Sequence, residues 1–360
     1  MKKRALIAMS GGVDSSVAAL LMKERGYDCI GVTMKLYENE DIGVIREKTC
    51  CTLSDVEDAR AVAAKLDIPY YVFNFKDSFK EKVIDKFVKS YQCGKTPNPC
   101  IDCNRYLKFE GLYQRAKELE CDSIVTGHYA RVEQIDGAYH LLKGVDESKD
   151  QSYVLYSLTK EQLAHTQFPL GSLTKEEVRK IAASHGFINA QKKESQDICF
   201  IPDGDYRKFM EQTQGISVGS GIFTDKEGNI LGKHEGYYRY TIGQRKGLGI
   251  SGKKPYYVIE INPEKNLVVL GDNEDLFHTE LIAEDFNWID DSVPEGEEIQ
   301  AKVRYGHKAS PAIYRILEDG RVWVKFQTPQ RAFTKGQAVV LYQGDRVLGG
   351  GTIAENRIER

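Results

Sequence analysis

Cys100 and Cys103 form a C-x-x-C in "KTPNPCIDCN", residues 95–104, just after two prolines that stiffen the chain. Two thiols at that spacing suit half of a zinc site, a thioredoxin-like redox couple, an iron–sulfur ligand pair, or one nucleophile with a bystander. A zinc reading needs a second ligand pair, and Cys50, Cys51 and Cys93 stand at spacings that fit no usual pattern. Cys29 and Cys121 flank apolar runs and read as small packing residues. A second stretch, "MSGGVDSS" from Met9 to Ser16, offers different chemistry. Gly11 and Gly12 let backbone amides approach an anion closely, and a helix opening at Asp14 points its positive end at the same place. Ser10, Ser15 and Ser16 add hydroxyl donors. The stretch reads as a phosphate cradle, although the G-K-[ST] ending of a Walker loop and the G-x-G-x-x-G of a dinucleotide fold are both absent. The bland alternative is an ordinary strand-to-helix turn with a capping Asp.

The elements that must position these groups follow from periodicity. "RALIAMS" reads as a buried strand, "DSSVAALLMKERG" as a helix with Gly26 near its C-cap, and "DCIGVTMKLY" as the next strand. "TLSDVEDARAVAAKLDI" is a helix capped by Ser54 with Glu57 three residues on. A strand "YYVFNF", helices over "KDSFKEKVIDKFVKSYQ" and "NRYLKFEGLYQRAKELE", and a strand "DSIVTGHY" complete a β-α-β-α order, hence a parallel sheet whose ligands bind at the carboxyl ends of the strands. After about Asp205 helical periodicity fades into short alternating segments separated by Asp-Gly and Gly-Asp turns. The expected organisation is a catalytic α/β domain over 1–205, a small β domain over 206–280 and a C-terminal β-barrel-like domain over 281–360.

At 360 residues the chain is long enough for two or three domains. No apolar run reaches bilayer length, and the short apolar N-terminal run breaks into Ser-Gly-Gly, so a cytoplasmic protein is expected. In that reducing compartment eight cysteines are not a structural disulfide framework. The net charge of −3 means that a nucleic-acid partner would need a local basic face.

The loop resembles that of the pyrophosphate-loop ATPases. Together with "GKTPNPCIDCNRYLKF", "TGHYAR", "KDQSYVLY", "SQDICFI" and "GQRKGLGI", it makes the whole chain similar to the tRNA-specific 2-thiouridylases, the MnmA family. The resemblance implies a Rossmann-like ATP-pyrophosphatase domain followed by two small β domains. It also implies ATP and Mg²⁺, tRNA as substrate, a persulfide sulfur-donor protein as partner and no membrane. The implied reaction adenylates the C2 oxygen of the wobble uridine and replaces it with sulfur. By resemblance Cys103 is the nucleophile and Cys199 carries the persulfide, the two closing a transient disulfide. The nucleotide site comprises Ala8, Met9, Ser10, Gly11, Gly12, Val13, Asp14, Ser15, Met34 and Gly127. Asn98, Pro99 and Cys100 frame the extruded uridine. His128, Lys149, Asp150, Gln151, Arg304, Tyr305 and Gln337 meet the tRNA, with Arg245 and Lys246 as a phosphate or cap site. The chain departs from the family at Cys100, where better-known members carry Asp. Acid–base work there is in doubt, with Asp102 one substitute. The change also makes Cys100, Cys103 and Cys199 an alternative ligand set for an iron–sulfur cluster. Other readings are a synthetase with a small-molecule substrate and a non-catalytic RNA-binding protein with a structural metal.

Overall fold

The computed structural model describes residues 2–38, 40–42, 53–192, 198–252 and 254–357. Cys50 and Cys51 lie outside them. The first strand, β1 (Arg4–Ala8), is followed by α1 (Val13–Glu24) and β2 (Asp28–Lys35). Apolar Ala5, Leu6 and Ile7 are fully buried, as are Val17, Ala18 and Ala19 on α1. Small residues on α1 let the helix lie close against the sheet. Gly26 ends it with φ +84 and an amide bonded to the Lys23 carbonyl.

Helix α2 (Leu53–Lys65) begins one residue before Ser54, which therefore sits inside the first turn rather than ahead of it. Next come β3 (Tyr70–Asn74), α3 (Lys76–Phe79) and α4 (Asp85–Gln92), the two helices joined by a π-helical turn at Lys80–Ile84. The "CIDC" stretch, expected ahead of a helix, lies in one. Asn98 caps α5 (Pro99–Asp102) by accepting the Cys100 amide at 3.2 Å, and Pro99 takes the first position, where no donor is missed. A π-helical run, Cys103–Gly111, follows and passes into α6 (Leu112–Glu118).

Strand β4 (Ser123–Val125) is followed by a hairpin of β5 (Ala130–Ile135) and β6 (Ala138–Lys143). Then come α7 (Lys160–Ala164), β7 (Thr166–Gln167) and α8 (Lys175–Ser184). The first sheet is parallel throughout, in the order β3-β2-β1-β4-β7. Chain direction across it reverses between β1 and β4, so the loops leaving those strands face a common crevice.

After α9 (Tyr206–Lys208) the chain is β-rich. Strands β8 (Gly221–Thr224), β9 (Ile230–His234), β10 (Tyr257–Asn262) and β11 (Leu267–Gly271) form a four-stranded sheet, β10-β11-β8-β9. Strands β12 (Phe277–Trp288), β13 (Ile299–Lys302), β14 (Ser310–Ile316), β15 (Val322–Arg331), β16 (Ala338–Gln343) and β17 (Arg346–Arg357) close into a barrel through the β12–β17 pairing. The β5–β6 hairpin joins that barrel's sheet at Arg346 opposite Leu142.

Candidate functional site: a phosphate loop and two thiols

The loop after β1 is packed too tightly for any other residue at Gly11. Its φ is +76, and a Cβ there would lie 2.3 Å from the Asp55 carbonyl oxygen. Gly127, after β4, meets the loop from across the crevice; a Cβ on it would stand 2.8 Å from the Ser15 amide nitrogen. The hydroxyls of Ser15 and Ser16 turn back onto the chain. Both side chains are buried and bond back to the Gly12 carbonyl at 3.1 and 3.0 Å, the habit of serine in a first helical turn. Ser10 is the exposed hydroxyl of the three. Asp14 is engaged as well: Lys175 Nζ lies 2.7 and 2.8 Å from its two oxygens, and the Tyr129 hydroxyl donates to it at 2.8 Å. Lys175 is the first residue of α8, placed by the Thr174–Glu177 capping box. Ala8 ends β1, Met9 and Val13 are buried beside the loop, and Gly12 caps α1.

Cys103 opens the π-helical run, a helix form concentrated at functional sites. Its thiol is pushed up to about 11 by burial, against the pull of the Lys108 ammonium. Lys108 stands five residues on and reaches His128 Nε2 at 3.5 Å. Burial, with Lys108 adding to it, holds the His128 imidazole well below its usual value, so the ring is neutral. The ammonium is a donor only, so Nε2 accepts and Nδ1 carries the proton toward Thr126 Oγ1 at 2.6 Å. Asp102 is buried and bonded to Lys86 Nζ at 2.6 Å. Cys100 is exposed. Cys199 is partly buried and its carbonyl accepts the Tyr37 hydroxyl at 2.8 Å. Cys103, Cys199 and Met34 all pack against one apolar cluster that includes Phe79, Phe87, Leu107 and Phe200. Among the described residues, no group of three or more His, Cys, Asp or Glu is placed to hold a metal ion.

The residues expected at tRNA fall into two sets. His128 is buried between Phe109 and Phe168. Asp150 accepts the Gly144 and Ser152 amides, both at 3.1 Å; Gln151 accepts the Tyr129 amide at 3.0 Å. The Gln337 amide donates to the carbonyls of Thr96 and Pro97 at 2.8 and 3.3 Å, so it fixes the approach to Asn98. These side chains are tied into the protein's own hydrogen bonds and ring contacts. The second set is cationic and only partly exposed. Tyr305 is 45% exposed, and Lys302 lies 5.5 Å from its ring. Arg304 donates to Thr334 Oγ1 at 2.7 Å and to the Ala332 carbonyl at 3.0 Å. Burial and the charges of Arg304, Arg331 and Lys302 lower the His307 pKa. These cations form a local basic face on a chain of negative net charge. Arg245 and Lys246 are exposed.

Residues 3–203 match the family described as tRNA methyl transferase HUP domain, 207–272 its PRC-barrel domain, and 278–353 the aminomethyltransferase beta-barrel domain. Over 360 residues the chain is 53% identical to the tRNA-specific 2-thiouridylase MnmA of Clostridioides difficile strain 630, covering 99% of each. The chain belongs to the MnmA family. It is also 52% identical to the MnmA proteins of Clostridium perfringens strain ATCC 13124 and Carboxydothermus hydrogenoformans, with 98% of this chain and of each relative covered. Membership bears out the resemblance carried by the loop and the cysteine stretches. Lys108, Lys175 and the cations around Arg304 are invisible to motif reading, since a lone lysine has no spacing to betray it.

Proposed function

We propose that this MnmA-family chain is an ATP-dependent tRNA-uridine 2-sulfurtransferase, acting on the wobble uridine in the anticodon loop. The observation that carries the reading is the convergence of Met34, Cys103 and Cys199 on one cluster beside the loop-bearing sheet. Uracil C2 is a weak electrophile and oxide a poor leaving group. ATP enters as substrate, with Mg²⁺ as its counter-ion. The C2 oxygen attacks the α-phosphorus, pyrophosphate leaves, and the oxygen now carries AMP. The terminal sulfur of a Cys199 persulfide, supplied by a donor protein, then attacks C2 and AMP departs. The Cys103 thiolate attacks Cys199 Sγ, the S–S bond to the nucleobase breaks, and both electrons stay on the sulfur left at C2. A Cys103–Cys199 disulfide remains, to be reduced by a dithiol.

The residues at hand fit these roles. Gly11 to Asp14 turn amides toward an anion at the positive end of a twelve-residue helix. A cation at Asp14 would displace Lys175, whose charge occupies that carboxylate. Asn98, Pro99 and Cys100 immediately precede Cys103 on one short helix, which supports their role in framing an unstacked base, and extrusion is least costly from a single-stranded loop. The basic face around Arg304 suits RNA phosphate. No helix among the described residues is long and apolar enough to cross a membrane. The test is mass spectrometry of tRNA nucleosides after reaction with ATP, Mg²⁺ and a sulfur source. ATP-dependent 2-thiouridine at the wobble position is expected. A methylated nucleoside, or ATP–pyrophosphate exchange that needs a metabolite and not tRNA, would overturn the reading.

A further inference from the structure

The reaction proposed above uses the sulfurs of Cys103 and Cys199 and leaves the sulfur of Cys100 without a chemical task. The backbone nevertheless sets Cys100 and Cys103 one turn apart. Asn98 fixes the start of α5 at the Cys100 amide, and the Cys103 amide donates to the Pro99 and Cys100 carbonyls. Residues three apart on a helix carry Cβ atoms about 5–6 Å from each other. A disulfide brings them to about 4 Å, a small tightening in a first turn. One cation serves both sulfurs. Enough protein surrounds Cys100 to raise its pKa, and the Lys108 ammonium opposes the rise, as it does at Cys103. The thiols differ in access: Cys100 is exposed, whereas Cys103 and Cys199 are only partly so and pack against the apolar cluster.

A disulfide between Cys103 and Cys199 therefore lies against apolar side chains, with an exposed thiol one turn away. We propose that Cys100 is the resolving thiol of this chain, which takes Cys103 from Cys199 by disulfide exchange. The Cys100 proton goes to solvent and its thiolate attacks Cys103 Sγ. The Cys103–Cys199 bond breaks, its electron pair stays on Cys199 Sγ, and a Cys100–Cys103 disulfide forms. Cys199 is then a free thiolate, ready for the next persulfide sulfur. A dithiol from solvent attacks the exposed Cys100 sulfur and supplies two electrons and two protons, which returns both cysteines to thiols. The inference rests on the persulfide reading of Cys103 and Cys199 and adds the route by which that site is reset.

The test has two parts, both on the whole chain. Cys199 is first loaded with sulfur, donor and reductant are removed, and one turnover is started with Mg²⁺–ATP and tRNA. The mixture is quenched in acid, free thiols are blocked with N-ethylmaleimide, and disulfides are mapped by peptide mass spectrometry without reduction. For each 2-thiouridine formed, the natural chain should show Cys100–Cys103 about fivefold or more above Cys103–Cys199, with Cys199 blocked as a free thiol. Cys100→Ser should show Cys103–Cys199 alone. The second part divides each chain's steady-state rate by its own single-turnover rate, over a range of dithiol concentrations. Cys100→Ser should lower that ratio about fivefold at limiting dithiol and regain it at excess, a rescue that a lost contact to the base would not show. A natural chain that keeps Cys103–Cys199, or ratios equal in both chains at every dithiol concentration, would overturn the proposal. So would iron bound by the natural chain and lost with Cys100→Ser. No 2-thiouridine, or 2-thiouridine without a disulfide in either chain, would sink the persulfide reading and the inference with it.

Discussion

Cys103 is the residue on which the chemistry turns, and in the free chain it is held as a thiol. With its pKa at about 11, roughly one molecule in 10³ to 10⁴ carries the thiolate near neutral pH. Raising the pH should therefore speed alkylation of Cys103 about tenfold per unit between pH 8 and 10. A plateau already reached at pH 8 would mean that Lys108 outweighs burial. Substitution separates the three thiols. Cys103→Ser and Cys199→Ser should each abolish tRNA thiolation, whereas Cys100→Ser should keep most of it, aerobically and anaerobically, without bound iron. Loss of activity and iron together in all three variants would make them a cluster-ligand set and sink the persulfide route. At this scale the sequence was legible where chemistry needs a pattern: two glycines before Asp14, or two cysteines three apart. It does not reveal that Ser15 and Ser16 bond to the Gly12 carbonyl or Asp102 to Lys86, because such partners are set by folding rather than by spacing.

At the scale of elements, the run from Pro99 to Gly111 joins the domains. Leu107 packs in the cluster shared with Phe223 and Val258 of the four-stranded sheet, while Ile101 and Phe109 pack with Val340 and Tyr342 of the barrel. Arg105 is paired with Asp285 on β12. Cys103 is thus fixed by both β units, and Gln337 fixes the strap before Asn98 in the same way. Gln337→Ala should lower the thiolation rate by about tenfold, ~1.4 kcal/mol of barrier, through misplaced Asn98. It should leave the salt dependence of tRNA binding unchanged. A shallower slope would make Gln337 a direct phosphate contact instead. Asn98 before Pro99 was a helix-start signal in plain view, and the helix begins there rather than at Asn104. The β5–β6 hairpin went unread although Asp136–Gly137, with φ +50 and +84, is a hairpin turn. Its sheet partner, β17, lies about 200 residues away, beyond the reach of local periodicity.

At the scale of the whole molecule, the division into a parallel-sheet domain and two β units follows from periodicity, but their assembly around one cluster does not. The basic face is a product of that assembly, since Lys302, Arg304, His307 and Arg331 come from different strands and loops. Arg304→Ala should weaken tRNA binding and reduce the slope of log affinity against log salt by about one unit, with ATP binding unchanged. Reduced affinity at an unchanged slope would point to damage at Thr334 and Ala332 rather than a lost phosphate contact. The central claim, that ATP activates the uridine oxygen before sulfur enters, is open to one direct measurement. A tRNA carrying ¹⁸O at C2 of the wobble uridine is thiolated with unlabelled ATP, and the nucleotide products are weighed. The account predicts one ¹⁸O in the AMP phosphate for each 2-thiouridine formed; thiolation with the label in water and unlabelled AMP would contradict it.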